Sequence, residues 1–228
     1  MTALRAADDT APDDTVGHAA GAGLREPQQE RSRVTRARLL DATVAALADL
    51  GWSRTTVAEV AERAGVSRGA AQHHYPTRED LVAAALDHMA KVRVDELPSA
   101  VRHPVGPDRT REVVAAAADF YVGPLFRAAV QLWSAAASDA ALREQVVPLE
   151  AALGAAAHRV VVDLLEVDDT RPGVREAVQA TLDLARGLGL ADLLTDDAAR
   201  RERVVHRYAA MLHADLVALG AVAAPNRL

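Results

Sequence analysis

Residues 55–80, TTVAEVAERAGVSRGAAQHHYPTRED, constrain the fold of this chain more than any other stretch. Thr56 can cap a helix over about 57–64, and Glu59, three residues on, completes a Ser/Thr-x-x-Glu capping box. Gly65 follows, where a helix ends in a left-handed residue that glycine adopts without strain. Ser67 can cap a second helix over about 68–74, and Pro76 stops it because the residue before a proline avoids helical geometry. Thr77-x-x-Asp80 repeats the capping pattern and opens a longer helix over about 77–97. Val57, Val60, Ala61 and Ala64 recur on one helical face, and Val66 and Ala71 are placed to cover it. Two helices joined by a tight glycine turn form a helix-turn-helix, whose second helix fits the major groove of DNA. The alternative is an ordinary hairpin from a larger helical core.

From Gly51 the run GWSRTTVAEVAERAGVSRGAAQHHYPTREDL resembles the N-terminal domain of the TetR family of bacterial transcriptional regulators. The motif-level resemblance covers about residues 33–89; beyond it, only length and helical pattern match. It implies an all-α chain in two parts. An N-terminal three-helix helix-turn-helix DNA-binding domain with its connecting helix would span 30–97. A C-terminal helical ligand-binding and dimerisation domain would span 98–228. The function implied is ligand-responsive: a repressor that binds a pseudo-palindromic operator as a dimer and is released by a small molecule. An activator of the same fold stays open. One departure matters: Gln72 stands where many members carry an aromatic residue, and glutamine can bind adenine in a bidentate way.

Charge distribution agrees with a DNA-binding N-terminal domain. The formal net charge is −6. Residues 31–80 nevertheless hold eight arginines against six acids, while 1–30 and 81–228 are each net −4. A basic patch confined to one region is the footprint of a nucleic-acid binder. Aromatics make up 3% of the chain and there is no cysteine. That composition suits helix packing, excludes disulfides and thiolate metal sites, and fits a cytoplasmic setting. No 18-residue apolar run suggests a membrane span.

In chain order, residues 1–29 are acidic, rich in Ala, Gly and Pro, and read as a disordered tail. Arg31, Arg33, Arg36 and Arg38 open the first helix against its dipole, so Arg33 and its neighbours are candidates for phosphate contact. A merely solvated charged face is the alternative. On the second helix of the motif, Arg68, Ala70, Gln72 and His73 are placed to face the groove, and Gly69 allows close approach to it. Thr56, Ser67, His74, Tyr75 and Arg78 are placed for the phosphate backbone. His73 and His74 cannot share a metal ion, because consecutive helical residues point about 100° apart; no metal or other cofactor is expected.

Beyond Pro98, helices are expected over 109–122, 124–137, 139–166, 173–194 and 197–221, with Pro148 kinking or splitting the third. Phe120, Tyr121, Phe126 and Trp133 fall within 14 residues. With Gln131, His158 and more distantly His88, Tyr121, Phe126 and Trp133 are candidates to line an apolar pocket; plain core packing competes for each. The aromatics beside His158 and Arg159 favour an apolar or aromatic effector, an anionic one included. Gly187 and Gly189 interrupt a strong helix-former run, which close helix approach would justify. The last two helices are expected to form a homodimer interface. No nucleophile–base pair, HExxH spacing or phosphate loop points to catalysis. A helical small-molecule-binding protein or enzyme remains the reading from another class.

Overall fold

The computed structural model describes residues 25–103 and 105–223. Among them nine α-helices and two short 3-10 turns account for the regular structure, without a strand. The expected disordered tail falls outside the described residues as far as residue 24. From Arg25 the chain is already helical, so the first helix takes in the last five residues assigned to that tail.

Helix α1, Arg25–Leu50, buries Leu39, Leu40, Thr43, Val44, Ala46 and Leu47 along one stripe. Helix α2, Val57–Ala64, and α3, Arg68–His74, form the helix-turn-helix, and α4, Arg78–Glu96, follows. Gly65 has φ 64° and ψ 35°, the left-handed conformation that the turn requires. After a 3-10 turn at Leu97–Ala100 come α5, Gly106–Phe120, and α6, Pro124–Ser138. Helices α7, Ala140–Leu165, α8, Val174–Asp192, and α9, Ala198–Ala218, complete the chain.

The loop into α5 is tied down by Glu112. Its carboxylate accepts the backbone amides of Arg102 at 2.7 Å and His103 at 2.8 Å, and lies 2.8 Å from the His103 ring. Those amides, that of His103 foremost, hold the carboxyl down at about 2.

Helix α7 is unbroken through Pro148, contrary to a split there. Pro148 and Glu144, whose carbonyl loses its partner, both lie on the exposed side, where water can replace the missing hydrogen bond.

Two apolar cores divide the molecule, but not at Pro98. One gathers α5, α8, α9 and the second half of α7. The other holds α1 to α4 together with Ala128, Leu132 and Ala136 of α6 and Leu142 and Val146 of α7. The core that holds α1 to α4 is completed by helices from beyond the composition break at 98–108. No single helix among the described residues is long and apolar enough to cross a membrane.

Candidate nucleic-acid interface and ligand cavity

The helix-turn-helix is locked by local hydrogen bonds. The Thr56 hydroxyl accepts the Glu59 amide at 3.2 Å, that of Ser67 the Ala70 amide at 3.2 Å, and that of Thr77 the Asp80 amide at 3.0 Å. The expected capping box is only half formed. Glu59 turns its carboxylate to Arg63, 2.8 Å away, and Arg63 also reaches Asp49 of α1 at 3.1 Å. A charged partner one turn along outcompetes the N-cap amide.

Ala71 is fully buried beneath α3, against the core that holds Val60 and Ala61. This leaves Arg68, Gly69, Gln72 and His73 exposed, with Ala70 and His74 half-buried at the edges. A Cβ added to Gly69 would meet nothing within 4 Å, so the protein's own packing does not demand a glycine there.

The flanking candidates are positioned more variously. The Tyr75 ring is in the core rather than on the surface, because its position after α3 points it at α1. Its hydroxyl remains at the edge and accepts from Arg36 Nε at 2.9 Å. Arg78 does not extend freely either: its guanidinium stacks 3.9 Å over the Trp52 ring, donates to the Trp52 carbonyl at 3.3 Å and pairs with Glu79 at 3.0 Å. Arg33 is exposed on α1 beside Glu30, 3.3 Å away. Arg36 thus sits beside the end of α3, with Arg33 about one turn earlier on α1.

A cavity of about 430 Å³ opens between α4, α6 and α7. Leu86, Ala90 and Val94 line it from α4, Phe126, Leu132 and Trp133 from α6, and Leu149 and Leu153 from α7. Phe120, Tyr121, Phe126 and Trp133 run along it as successive edge-to-face pairs, their ring centroids 5.1, 5.4 and 5.8 Å apart. The sequence cluster of aromatics is one wall.

Its polar end was not foreseen. Glu150 of α7 accepts from Trp133 Nε1 at 3.1 Å. Arg186 of α8 stands behind the wall, 5.4 Å from the Tyr121 centroid and 5.8 Å from that of Trp133. It pairs with Asp183 at 3.1 Å and lies 3.8 Å from Glu150, while its Nε is buried without a partner. Burial pushes the Glu150 carboxyl up, against the opposing pull of Arg186 and the Trp133 hydrogen bond. Burial also raises the Tyr121 phenol. A signal was present: Glu150 shares a helical stripe with Val146, Leu149 and Leu153, and Arg186 one with Leu182 and Gly189. A charge on an apolar stripe needs a reason.

Three expected lining residues lie elsewhere. His88 is exposed, on the side of α4 away from the cavity. Gln131 is exposed at the α1–α6 contact, its Oε1 3.1 Å from where a Cβ on Gly51 would sit. His158 faces the α7–α8 turn, where Asp169 holds it at 3.0 Å and also pairs with Arg175 at 2.9 Å. In each case helical rotation turned the residue from the shared wall.

The two glycines of α8 also separate. A Cβ on Gly189 would sit 2.2 Å from the Tyr121 carbonyl oxygen, so α8 presses directly on the aromatic corner. Gly187 has nothing within 4 Å and faces outward. On the outer side of α8 and α9, Leu190, Leu194 and Met211 are 46, 92 and 54% exposed, beside the half-buried Leu184, Val204 and Tyr208.

Comparison with known proteins agrees with this anatomy. A sequence model described as bacterial regulatory proteins, tetR family, matches residues 39–85. The HTH-type transcriptional regulator CymR of Pseudomonas putida is 29% identical over 188 residues, 79% of this chain and 90% of that protein. An HTH-type transcriptional regulator BetI of Paraburkholderia phymatum is 31% identical over 124 residues, 51% of this chain and 62% of that protein. The crystal structure of a transcriptional regulator from Rhodococcus superposes with a TM-score of 0.60 at 23% identity, over 83% of this chain and 99% of that one; at that identity the likeness speaks to fold.

Proposed function

We propose that this chain is a bacterial transcriptional regulator of the TetR family, whose sequence model matches residues 39–85, and that it acts as a cytoplasmic repressor released from its operator by a small molecule. As a homodimer it sets one α3 in each of two successive major grooves. The operator is then pseudo-palindromic, because protein symmetry maps onto the site. Arg68, Ala70, Gln72 and His73 read bases; Arg33, Thr56, Ser67, His74, the Tyr75 hydroxyl and Arg78 meet phosphates, and Gly69 lets α3 come close. The open Gly187 and the exposed apolar residues of α8 and α9 support a two-fold interface there.

One observation carries the reading. Helix α4 belongs to both parts: Leu81, Val82, Ala85 and Leu86 sit in the core that seats α3, while Leu86, Ala90 and Val94 line the cavity. A molecule that binds better to one position of α4 shifts the dimer toward it, and the spacing of the two α3 helices with it.

The test begins with fragments of the source genome selected on the purified protein at two salt concentrations. One enriched pseudo-palindrome that survives moderate salt is expected; unselective binding that collapses with salt would leave only phosphate attraction. On the selected site, Arg68→Ala with Gln72→Ala should weaken specific binding about 100-fold or more, since each bidentate base contact is worth about 1–3 kcal/mol. Melting and dimerisation should be unchanged. Full affinity in this double variant would remove α3 from the role of reader. Footprint protection that rises with effector, instead of falling, would replace the released repressor with a ligand-activated binder.

A further inference from the structure

We propose that the effector is an apolar molecule ending in a protonated amine, which lies against the aromatic wall and donates to Glu150. This deepens the proposed function and rests on the cavity being the effector site.

The cavity itself limits which polar group can enter. Its walls are apolar and aromatic, and its charged lining consists of three carboxylates, Asp87, Asp95 and Glu150, against two cations, Lys91 and Arg159. Lys91 is committed to Asp87, 2.7 Å away on its own helix. Arg159 is solvent-exposed, where water screens it.

Glu150 is the carboxylate beside the aromatic rings, and it is undersupplied. It receives one neutral hydrogen bond, from Trp133. Its nearest cation, Arg186, is 3.8 Å away, beyond hydrogen-bond reach, and shared with Asp183 at the shorter distance of 3.1 Å. Two carboxylates on one guanidinium leave negative charge uncompensated. A carboxylate can accept up to about four hydrogen bonds, so Glu150 has capacity left for a donor. Burial raises its carboxyl, against the pull of Arg186 and of the Trp133 hydrogen bond.

A cation fits the neighbouring surfaces as well. The faces of Tyr121 and Trp133 already attract the Arg186 guanidinium from behind, and aromatic faces favour positive charge in poorly solvated sites. An anion would meet the opposite: the carboxylate of Glu150, with one of the two lining cations, Lys91, paired to Asp87 and the other, Arg159, out in solvent. The histidine that could have balanced an anion, His158, is turned away and held by Asp169. The structure therefore reverses the allowance for an anionic effector that His158 and Arg159 made from sequence.

Three probes of one shape test this by calorimetry on the full chain: 4-butylbenzylamine, 4-butylbenzyl alcohol and 4-butylbenzoate. The amine should bind about tenfold or more tighter than the alcohol, the size of a hydrogen bond to a charged group, and the benzoate weakest. Glu150→Gln keeps an acceptor for Trp133, so it should leave the alcohol's affinity in place and bring the amine to within about threefold of it. Equal affinities, or a preference for the benzoate, overturn the cationic class and leave the cavity as effector site. An amine preference that survives Glu150→Gln also overturns the assignment. Failure of all three to bind at millimolar concentration overturns both the class and the cavity reading. Tight amine binding without loss of operator binding upholds this inference and overturns release as the mode of regulation.

Discussion

In the DNA-reading part of the molecule, three successive helices begin on a hydroxyl that accepts a free amide of the first turn: Thr56, Ser67 and Thr77. Among the later helices, α5, α6 and α8 begin without such a cap, on Val105, Gly123 and Gly173, and at α9 it is Asp196 that accepts the Ala198 amide at 3.1 Å. Helix α7 has one, Asp139 accepting the Leu142 amide. Length explains the difference for α2 and α3, though not for α4, which has 19 residues. Helices α2 and α3 have eight and seven residues, too short to persist on propensity, and α3 buries only Ala71. They need each local hydrogen bond. The helices from α5 onward run from 15 to 26 residues and are held by burial. One part is fixed piece by piece from within, the other by mutual packing.

The strongest way to break this contrast is Gly189→Ala. If the cavity part depends on close packing, a methyl group placed 2.2 Å from the Tyr121 carbonyl must force α8 off the aromatic corner. Overpacking costs about 1–3 kcal/mol, and a backbone atom cannot step aside as a side-chain end can. Alanine's better helix propensity returns about 1 kcal/mol, for a net loss of up to about 2 kcal/mol. Urea unfolding at fixed protein concentration measures it. Unchanged stability would mean that α8 is free to shift at no cost, and the corner is not a packing constraint.

The contrast also explains what could be read without coordinates. Caps and turns are written over three or four adjacent residues, so Thr56, Gly65, Ser67, Thr77 and Asp139 were legible, and with them the boundaries of α2, α3, α4 and α7. The aromatic wall was legible as a cluster because α5 and α6 turn sharply at Gly123-Pro124. Which polar residues face the cavity was not. That depends on the rotation of each helix against partners more than 20 residues distant, where 100° per residue separates inside from outside. Gln131 and Trp133 are two residues apart on α6, and only Trp133 lines the cavity. Likewise the α1–α6 packing that completes the small core joins residues about 90 apart in sequence, so a boundary drawn from prolines at 98–108 misses it.

A smaller effect sharpens the other side of the comparison. Ser67→Ala removes the acceptor for the Ala70 amide at the start of α3. An N-cap loss costs about 1 kcal/mol. Because α3 has so little burial of its own, the cost should fall on local order as well as global stability. Operator affinity should drop several-fold, and hydrogen exchange at Ala70 and Ala71 should quicken. Asp139→Ala, a cap of the same kind on the long α7, should lose comparable stability with no change in operator affinity. Equal effects of the two variants on DNA binding would erase the distinction between a locally locked reader and a packed cavity.

The smallest expected change is at Gly187, one turn-half from Gly189 but on the open side of α8. Within one protomer, Gly187→Ala meets no atom within 4 Å, so propensity alone predicts a gain of up to about 1 kcal/mol. In the proposed dimer this glycine lies on the contact face, where two helices can approach closely only if the side chain is absent. The two effects oppose each other and are separated by protein concentration. Sedimentation equilibrium should show a weaker dimer, while unfolding extrapolated to the monomer should show a slightly more stable protomer. A tighter or unchanged dimer would move the interface away from Gly187 and leave its retention to the unfolded chain or to chance, whereas Gly189 would still be explained by the Tyr121 carbonyl alone.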